Sequence, residues 1–312
     1  MIITITLNPA IDRTLVLEAP VELSAVNSVV KSYVEVGGRG INVSRAIRAI
    51  GGECVALGFT AGNNGRSLKN ALTALGITHD FTDVTGETRT NTQIVHPGGE
   101  HTDFNEPGTA VEEEDYLRFI EKLKTYLDPN NLFVLCGRIP SGMKEKQYLK
   151  IIRIIKKAGC SLLIDSDGDT MRSTLPFKPD FIKPNSTELA KLTGKPRTHD
   201  PEEAYEYVKP LLAEGAQTIC ASLGHNGAIF VNHTDKPLYI IANAGAAAQS
   251  AVGSGDAMVG AIAHAYSQGM SYEETAKFAV AMGTASAKLP GTQMATMKEA
   301  YEVYETLKVY TL

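Results

Sequence analysis

The segment Gly253-Ser254-Gly255-Asp256 puts two glycines, a small hydroxyl residue and a carboxylate directly before an apolar, helix-patterned run. A helix N-terminus carries unpaired N–H groups and about half a positive charge, so it attracts anions. Glycine lets the backbone approach a ligand and takes turn dihedrals closed to other residues. An Asp in the first turn could accept a proton from a hydroxyl held beside that anion. The chemistry these parts suit is phosphoryl transfer to an alcohol. Asp is also a favoured N-cap, so G-x-G-D by itself reads equally as Asp256 closing a helix end.

Other segments offer complementary groups. Gly37-Gly38-Arg39-Gly40-Ile-Asn42 opens the helical pattern at 41–50, with glycines for close backbone approach, a cation and an amide that both donates and accepts. It follows a polar segment and lacks the acidic residue of a dinucleotide fingerprint, and it is not a P-loop. Asn8-Pro-Ala-Ile-Asp12 follows the first strand, where a carboxylate could grip sugar hydroxyls or simply form a turn. In Lys183-Pro-Asn185-Ser-Thr-Glu188 the last two polar residues share a face if a helix begins there. Glu188 would then act near phosphate through Mg²⁺ and its waters, or close a capping box with Asn185. Ser222-Leu-Gly224-His-Asn-Gly227 is either a plain hairpin or a cradle for nucleotide phosphate or ribose, with His225 an exposed turn residue. Arg89 and Arg138 offer the planar fork that fits phosphate, or are surface side chains.

These residues need elements to hold them. Strands are expected at Ile2–Leu7, Val55–Phe59, Leu132–Cys136, Ser161–Asp165, Thr218–Ser222 and Ala228–Val231. Helices are expected at Ile41–Ile50, Arg66–Leu75, Glu113–Tyr126, Lys146–Ala158, Pro201–Glu214, Gly255–Gln268, Tyr272–Lys288 and Met297–Leu307. Alternating strands and helices give an α/β fold with a mainly parallel sheet covered on both faces. Ligands in such sheets bind at the carboxyl ends of the strands, where Arg138, Asp165, Lys183 and Gly224 fall. Two more polar, strand-like stretches, Thr14–Val36 and Thr88–Phe104, break the alternation and suggest a small sheet standing off the core as a lid. Without a repeat or a low-complexity linker, residues 1–312 read as one domain carrying that lid.

The chain has 312 residues, 43% hydrophobic and 21% charged, enough for a large core. Its net charge of −5 and the lack of any Lys/Arg run argue against nucleic acid as a partner. The uncharged, alternating N-terminus reads as a strand rather than a signal peptide, and no apolar run approaches a membrane span. Cys54, Cys136, Cys160 and Cys220 are widely spaced within or beside apolar stretches, which suggests buried free thiols and a reducing, cytoplasmic setting.

In this order the segments resemble the ribokinase-like (PfkB-type) carbohydrate kinases, and most the 1-phosphofructokinase and tagatose-6-phosphate kinase branch. T-L-N-P-x-x-D, G-G-K/R-G-x-N-V, G-E-T-R, I-K-P-N-x-x-E-L and V-G-S-G-D stand in register from Thr6 to Asp256. The resemblance implies a three-layer α/β/α core, a small β-sheet lid that often forms a dimer interface, ATP and Mg²⁺. It implies that Asp256 is the base and that backbone N–H groups of Gly253, Ser254 and Gly255 stabilise the moving phosphoryl group. Asp12, Gly38 and Asn42 would hold the sugar, and Arg89 its phosphate. Lys183, Asn185, Ser222, Gly224 and Gly227 would face ATP, and Glu188 would organise Mg²⁺ through water. The reaction implied is phosphorylation of a ketohexose phosphate: fructose 1-phosphate, or tagatose 6-phosphate. A sensor that has lost turnover on the same fold is the rival of another class. Three positions depart from the family pattern: Arg39 replaces Lys, Arg138 replaces a small hydroxyl residue, and Ala251 stands where Thr or Ser is common.

Overall fold

Leu132-Phe-Val-Leu-Cys136 is buried at every position, and its side chains alternate between two separate apolar cores. Leu132, Val134 and Cys136 face one core, Phe133 and Leu135 the other, as the two-residue period of a strand requires. The strand lies near the middle of a sheet covered by helices on both sides. The structure is a computed structural model describing residues 1–98, 100–242 and 252–312.

The first half of the chain runs β1 (Ile2–Thr6), β2 (Ala10–Leu17), β3 (Val29–Gly37), α1 (Arg39–Ala49), β4 (Cys54–Ala61), α2 (Gly62–Ala74), β5 (Thr78–His79), β6 (Thr82–Val84), β7 (Arg89–Val95), β8 (His101–Asn105), α3 (Glu113–Lys124) and β9 (Leu132–Cys136). The second half runs α4 (Glu145–Lys157), β10 (Ser161–Asp165), α5 (Gly168–Thr174), β11 (Phe181–Ile182), α6 (Ser186–Thr193), α7 (Pro201–Glu214), β12 (Thr218–Ser222), β13 (Ala228–Asn232), β14 (Leu238–Ile241), α8 (Ser254–Ser267), α9 (Tyr272–Ala287), α10 (Met297–Tyr304) and β15 (Lys308–Thr311). The large sheet has the order β15-β14-β13-β12-β11-β10-β9-β1-β4-β5, with β6 also on β4. It is parallel from β5 to β12 and antiparallel from β12 to β15. A separate four-stranded sheet has the order β3-β2-β7-β8. This is the ribokinase-like α/β arrangement expected from the sequence.

Helix α8 is buried from Asp256 to Ala263, and a helix apolar on all sides belongs inside a protein. A Cβ at Gly260 would come within 2.7 Å of the Ala46 Cβ, so this glycine lets α1 and α8 pack closely. Their N-terminal turns therefore meet, which sets the geometry of the site.

Several boundaries differ from expectation. Asp12 lies inside β2, opposite Glu35 on β3, and is not a turn residue. The small sheet begins at Ala10 rather than Thr14 and ends at Asn105. Helix α2 starts at Gly62, because Glu87 from a distant loop accepts from the Asn64 N–H and supports the first turn. Helix α10 ends at Tyr304, and the residues beyond it turn into edge strand β15 against β14. Short elements α5, α6, β5, β6 and β14 carry too few residues for a clear period.

Candidate active site

Helix α8 starts after Gly253, whose φ of 79° is a left-handed value open to glycine and costly for other residues. Ser254, Gly255 and Asp256 form its first turn. Asp256 is thus the third helical residue, not the cap, which excludes the capping alternative. Its side chain is buried, and its Oδ2 accepts a 2.8 Å hydrogen bond from Asn42 Nδ2 at the start of α1. Burial first, and the Asp165 carboxylate second, hold the Asp256 pKa well above the ordinary carboxylate range. The Asn42 hydrogen bond, Arg39 and Lys183 act in the opposite direction. Ala251 lies outside the described residues.

Beside Asp256 stands a cluster of charges in which Asp165, Lys183 and Glu188 are buried and Arg39 is partly exposed. Asp165, at the carboxyl end of β10, has its Oδ1 3.5 Å from Arg39 Nη1 and 3.3 Å from Lys183 Nζ. The second Arg39 nitrogen, Nη2, lies 2.8 Å from Glu188 Oε1. Burial works to lower the Lys183 pKa, but Asp165 and then Glu188 outweigh it, so the net direction is upward. A Cβ at Gly255 would lie 3.3 Å from Lys183 Nζ, so this ammonium abuts the helix terminus. A helix N-terminus, a lysine and an arginine thus converge on one pole of the site, with carboxylates behind them.

Asn185 caps α6: its Oδ1 accepts from the Thr187 and Glu188 N–H groups at 2.9 Å, while the Asn185 N–H donates to Glu188 Oε2 at 3.0 Å. The capping-box alternative therefore holds. Both Glu188 oxygens are engaged, one by the cap and one by Arg39. Ser222 ends β12 and bridges to Asn185, so these two loops are adjacent. Gly224 to Gly227 turn the chain into antiparallel β13, so the segment is a hairpin, and His225 is exposed as expected. His199 Nδ1, 2.9 Å from Leu223 O, ties this hairpin to the loop before α7.

The small sheet supplies the other pole. Asp12 Oδ1 accepts from Asn91 Nδ2 at 2.9 Å, and burial raises its pKa. A Cβ at Gly37 would fall 1.8 Å from Asp12 Oδ2, so a side chain there would displace this carboxylate. Gly38 is the N-cap of α1. Arg89 opens β7 opposite Ala10, and its two terminal nitrogens donate to Glu106 O and Asn8 O at 3.1 Å each. Its Nε is buried without a partner. Burial first, and Arg138 among its neighbours, lower the Arg89 pKa, so two guanidiniums lie close enough to repel. Arg138 itself is exposed. The buried, unpartnered Nε leaves Arg89 a donor that suits an anion.

Asp165 and Asn91 were not singled out for these roles, and neither were Glu35, Arg45 and Thr292. Asp165 was legible only as a polar residue ending a strand. Arg45 had a signal in the sequence, since it follows Asn42 by three residues on one helix face.

The model of the pfkB family of carbohydrate kinases matches residues 2–299. The chain belongs to this family. As a pfkB kinase it uses ATP as phosphoryl donor and a carbohydrate as acceptor. Phosphofructokinase-2 from Escherichia coli, solved with substrates and products, is 27% identical with a TM-score of 0.91, over 97% of this chain and 98% of that one. The same enzyme has been solved with fructose 6-phosphate and as a tetrameric inhibited form, each with 26% identity, a TM-score of 0.88 and the same coverage. A Thermotoga maritima protein described as a possible 1-phosphofructokinase is 26% identical with a TM-score of 0.85, over 100% of this pfkB kinase and 99% of that chain. Among the described residues, no helix is long and apolar enough to cross a membrane.

Proposed function

We propose that this kinase phosphorylates a ketohexose phosphate, with fructose 1-phosphate as substrate and fructose 1,6-bisphosphate as product. The observation that supports this reading is Asp256: a buried carboxylate in the first turn of α8, with its Oδ2 held by Asn42. Asp256 takes the proton from the 6-hydroxyl. That oxygen bonds to the γ-phosphorus of ATP as the bond to the ADP oxygen breaks. The N–H groups of Gly253 to Asp256 stabilise charge on the phosphoryl group in flight. Asp12, Gly38 and Asn42 hold the sugar, and Arg89 with Arg138 holds its phosphate. Lys183, Asn185, Ser222, Gly224 and Gly227 face the nucleotide.

Among the described residues, no group of three or more acidic, His or Cys side chains is arranged to hold a metal. Mg²⁺ keeps several waters and binds through substrate phosphates and one or two carboxylates, and the buried Glu188 is the carboxylate here that would serve it. Glu188 would touch its waters, and the ion when bound offsets phosphate charge. The small sheet would act as a lid over the sugar. Its exposed Val30, Tyr33, Val34 and Phe104 fit burial against a second copy of the chain in a homodimer.

Fructose 6-phosphate is the second reading, favoured by its presence in the phosphofructokinase-2 structure. The test is a coupled assay of ADP release with Mg-ATP and fructose 1-phosphate, fructose 6-phosphate, tagatose 6-phosphate or unphosphorylated sugars. The highest kcat/KM is expected for fructose 1-phosphate. A preference for either other sugar phosphate would reassign the substrate. No turnover, with sugar phosphate still bound, would turn the reading to a sensor.

A further inference from the structure

Asn42 holds Asp256, but an amide has two similar ends, and only its neighbours decide which one faces the carboxylate. The neighbour here is Arg45, one turn along α1. Its Nη1 donates to Asn42 Oδ1 at 3.1 Å, to Thr292 Oγ1 at 3.0 Å and to Val36 O at 3.2 Å. Its Nη2 donates to Glu35 Oε1 at 2.9 Å. Thr292 Oγ1 also donates to Glu35 Oε2, at 3.1 Å. A guanidinium only donates, so the amide end it meets must be the oxygen, and Nδ2 is left to face Asp256.

We propose that Arg45 is a positioning residue: it fixes the Asn42 amide, and through it the Asp256 carboxylate, while Glu35 and Thr292 anchor Arg45 in turn. The inference rests on Asp256 being the base. Glu35 stands on β3 of the small sheet, near its junction with α1, whereas Thr292 follows α9. Sheet, helix layer and base are thereby joined by side chains far apart in sequence. Arg45 thus acts on Asp256 through the Asn42 amide.

Removing Arg45 frees the amide to turn its oxygen toward Asp256, and it takes away a positive charge. Both changes favour the neutral acid, so the carboxyl should titrate higher. The charged or titratable groups facing Asp256 are Asp165 at the end of β10, Lys183 after β11, Arg39 at the start of α1 and Cys136 at the end of β9. All four remain in the variant.

The test measures kcat and KM of Arg45→Met, Asn42→Ala and the double variant, with Mg-ATP and the sugar phosphate that turns over. It also follows the Asp256 carboxyl by ¹³C NMR titration of the free protein. Arg45→Met is expected to lower kcat by about tenfold or more, the effect of losing one charge-assisted hydrogen bond, with KM for ATP nearly unchanged. Its Asp256 midpoint should move up. In the Asn42→Ala background, Arg45→Met should cost less than about twofold, because residues acting in series are not additive. Losses that multiply independently, or an unmoved midpoint, would overturn the proposal. If Arg45→Met does not fold, Arg45→Lys takes its place in the cycle, since an ammonium keeps the charge but not the fork. Asp256→Asn separates the two readings. Full turnover there means that the base assignment has failed, whereas lost turnover with an additive cycle means that only Arg45 has been misassigned.

Discussion

Asp256 is buried and Asp12 half-buried, and each accepts from an asparagine amide, yet they rest on different supports. Asp256 stands on a helix buried in the layer packed against the large sheet, where α1 and α9 fix its backbone. Asp12 stands on a four-stranded sheet whose β3 is exposed along most of its length. One pole is built like a protein core, and the other like a surface flap. Burial raises both carboxyl pKa values, and that of Asp256 reaches about 7 because the packed layer also brings the Asp165 carboxylate to it. Holding a sugar that must enter and leave suits the flap.

The sharpest test of that contrast is Asp256→Asn. It should lower kcat by at least about 100-fold, the usual scale for a general base, while ATP still binds in a calorimeter. Near-normal turnover would erase the distinction between the poles. On the small sheet, Arg89→Ala should raise KM for the sugar phosphate by about tenfold or more, the scale of a charge-assisted hydrogen bond, and change kcat less. A fall in kcat alone would give Arg89 a role in the chemistry instead. Val34→Lys, at an exposed position of β3, should shift the protein toward monomer in analytical ultracentrifugation without unfolding it. An unchanged mass would take the dimer away from this sheet.

The smallest effect concerns stability. Burial lifts the Asp256 pKa in the fold above its unfolded value, so the folded chain holds a proton that the unfolded chain releases. The resulting stabilisation is full at low pH and is lost as pH rises through the folded-state value. Asp256→Asn removes this titration. The variant should therefore melt higher than the parent at pH 8, by about 1.5 °C for roughly 1 kcal/mol, with a smaller gap at pH 5. An equal gap at both pH values would mean that burial does not strain this carboxylate.

Much of the site was legible because its parts are local. The capping box of Asn185 and Glu188, the glycine entry to α8 and the exposed His225 follow from neighbours a few residues apart. The strand position of Asp12 was not, since a short Asn-Pro-Ala segment reads as a turn until β3 and β7 pair with it. The role of Asp165 was hidden for a similar reason: its partners Arg39 and Lys183 come from two other loops.

By itself the sequence determined the layered α/β order and named the residues proposed for the site, because periodicity, glycine placement and residue chemistry are properties of short segments. Tertiary structure decided which of those groups meet. Asn42 and Asp256 touch because Gly260 lets two helices pack closely, and Arg45 reaches Glu35 and Thr292 because the small sheet and the end of α9 converge on α1. Proximity across that much chain is set by packing, and packing is what raises the pKa on which the proposed chemistry depends.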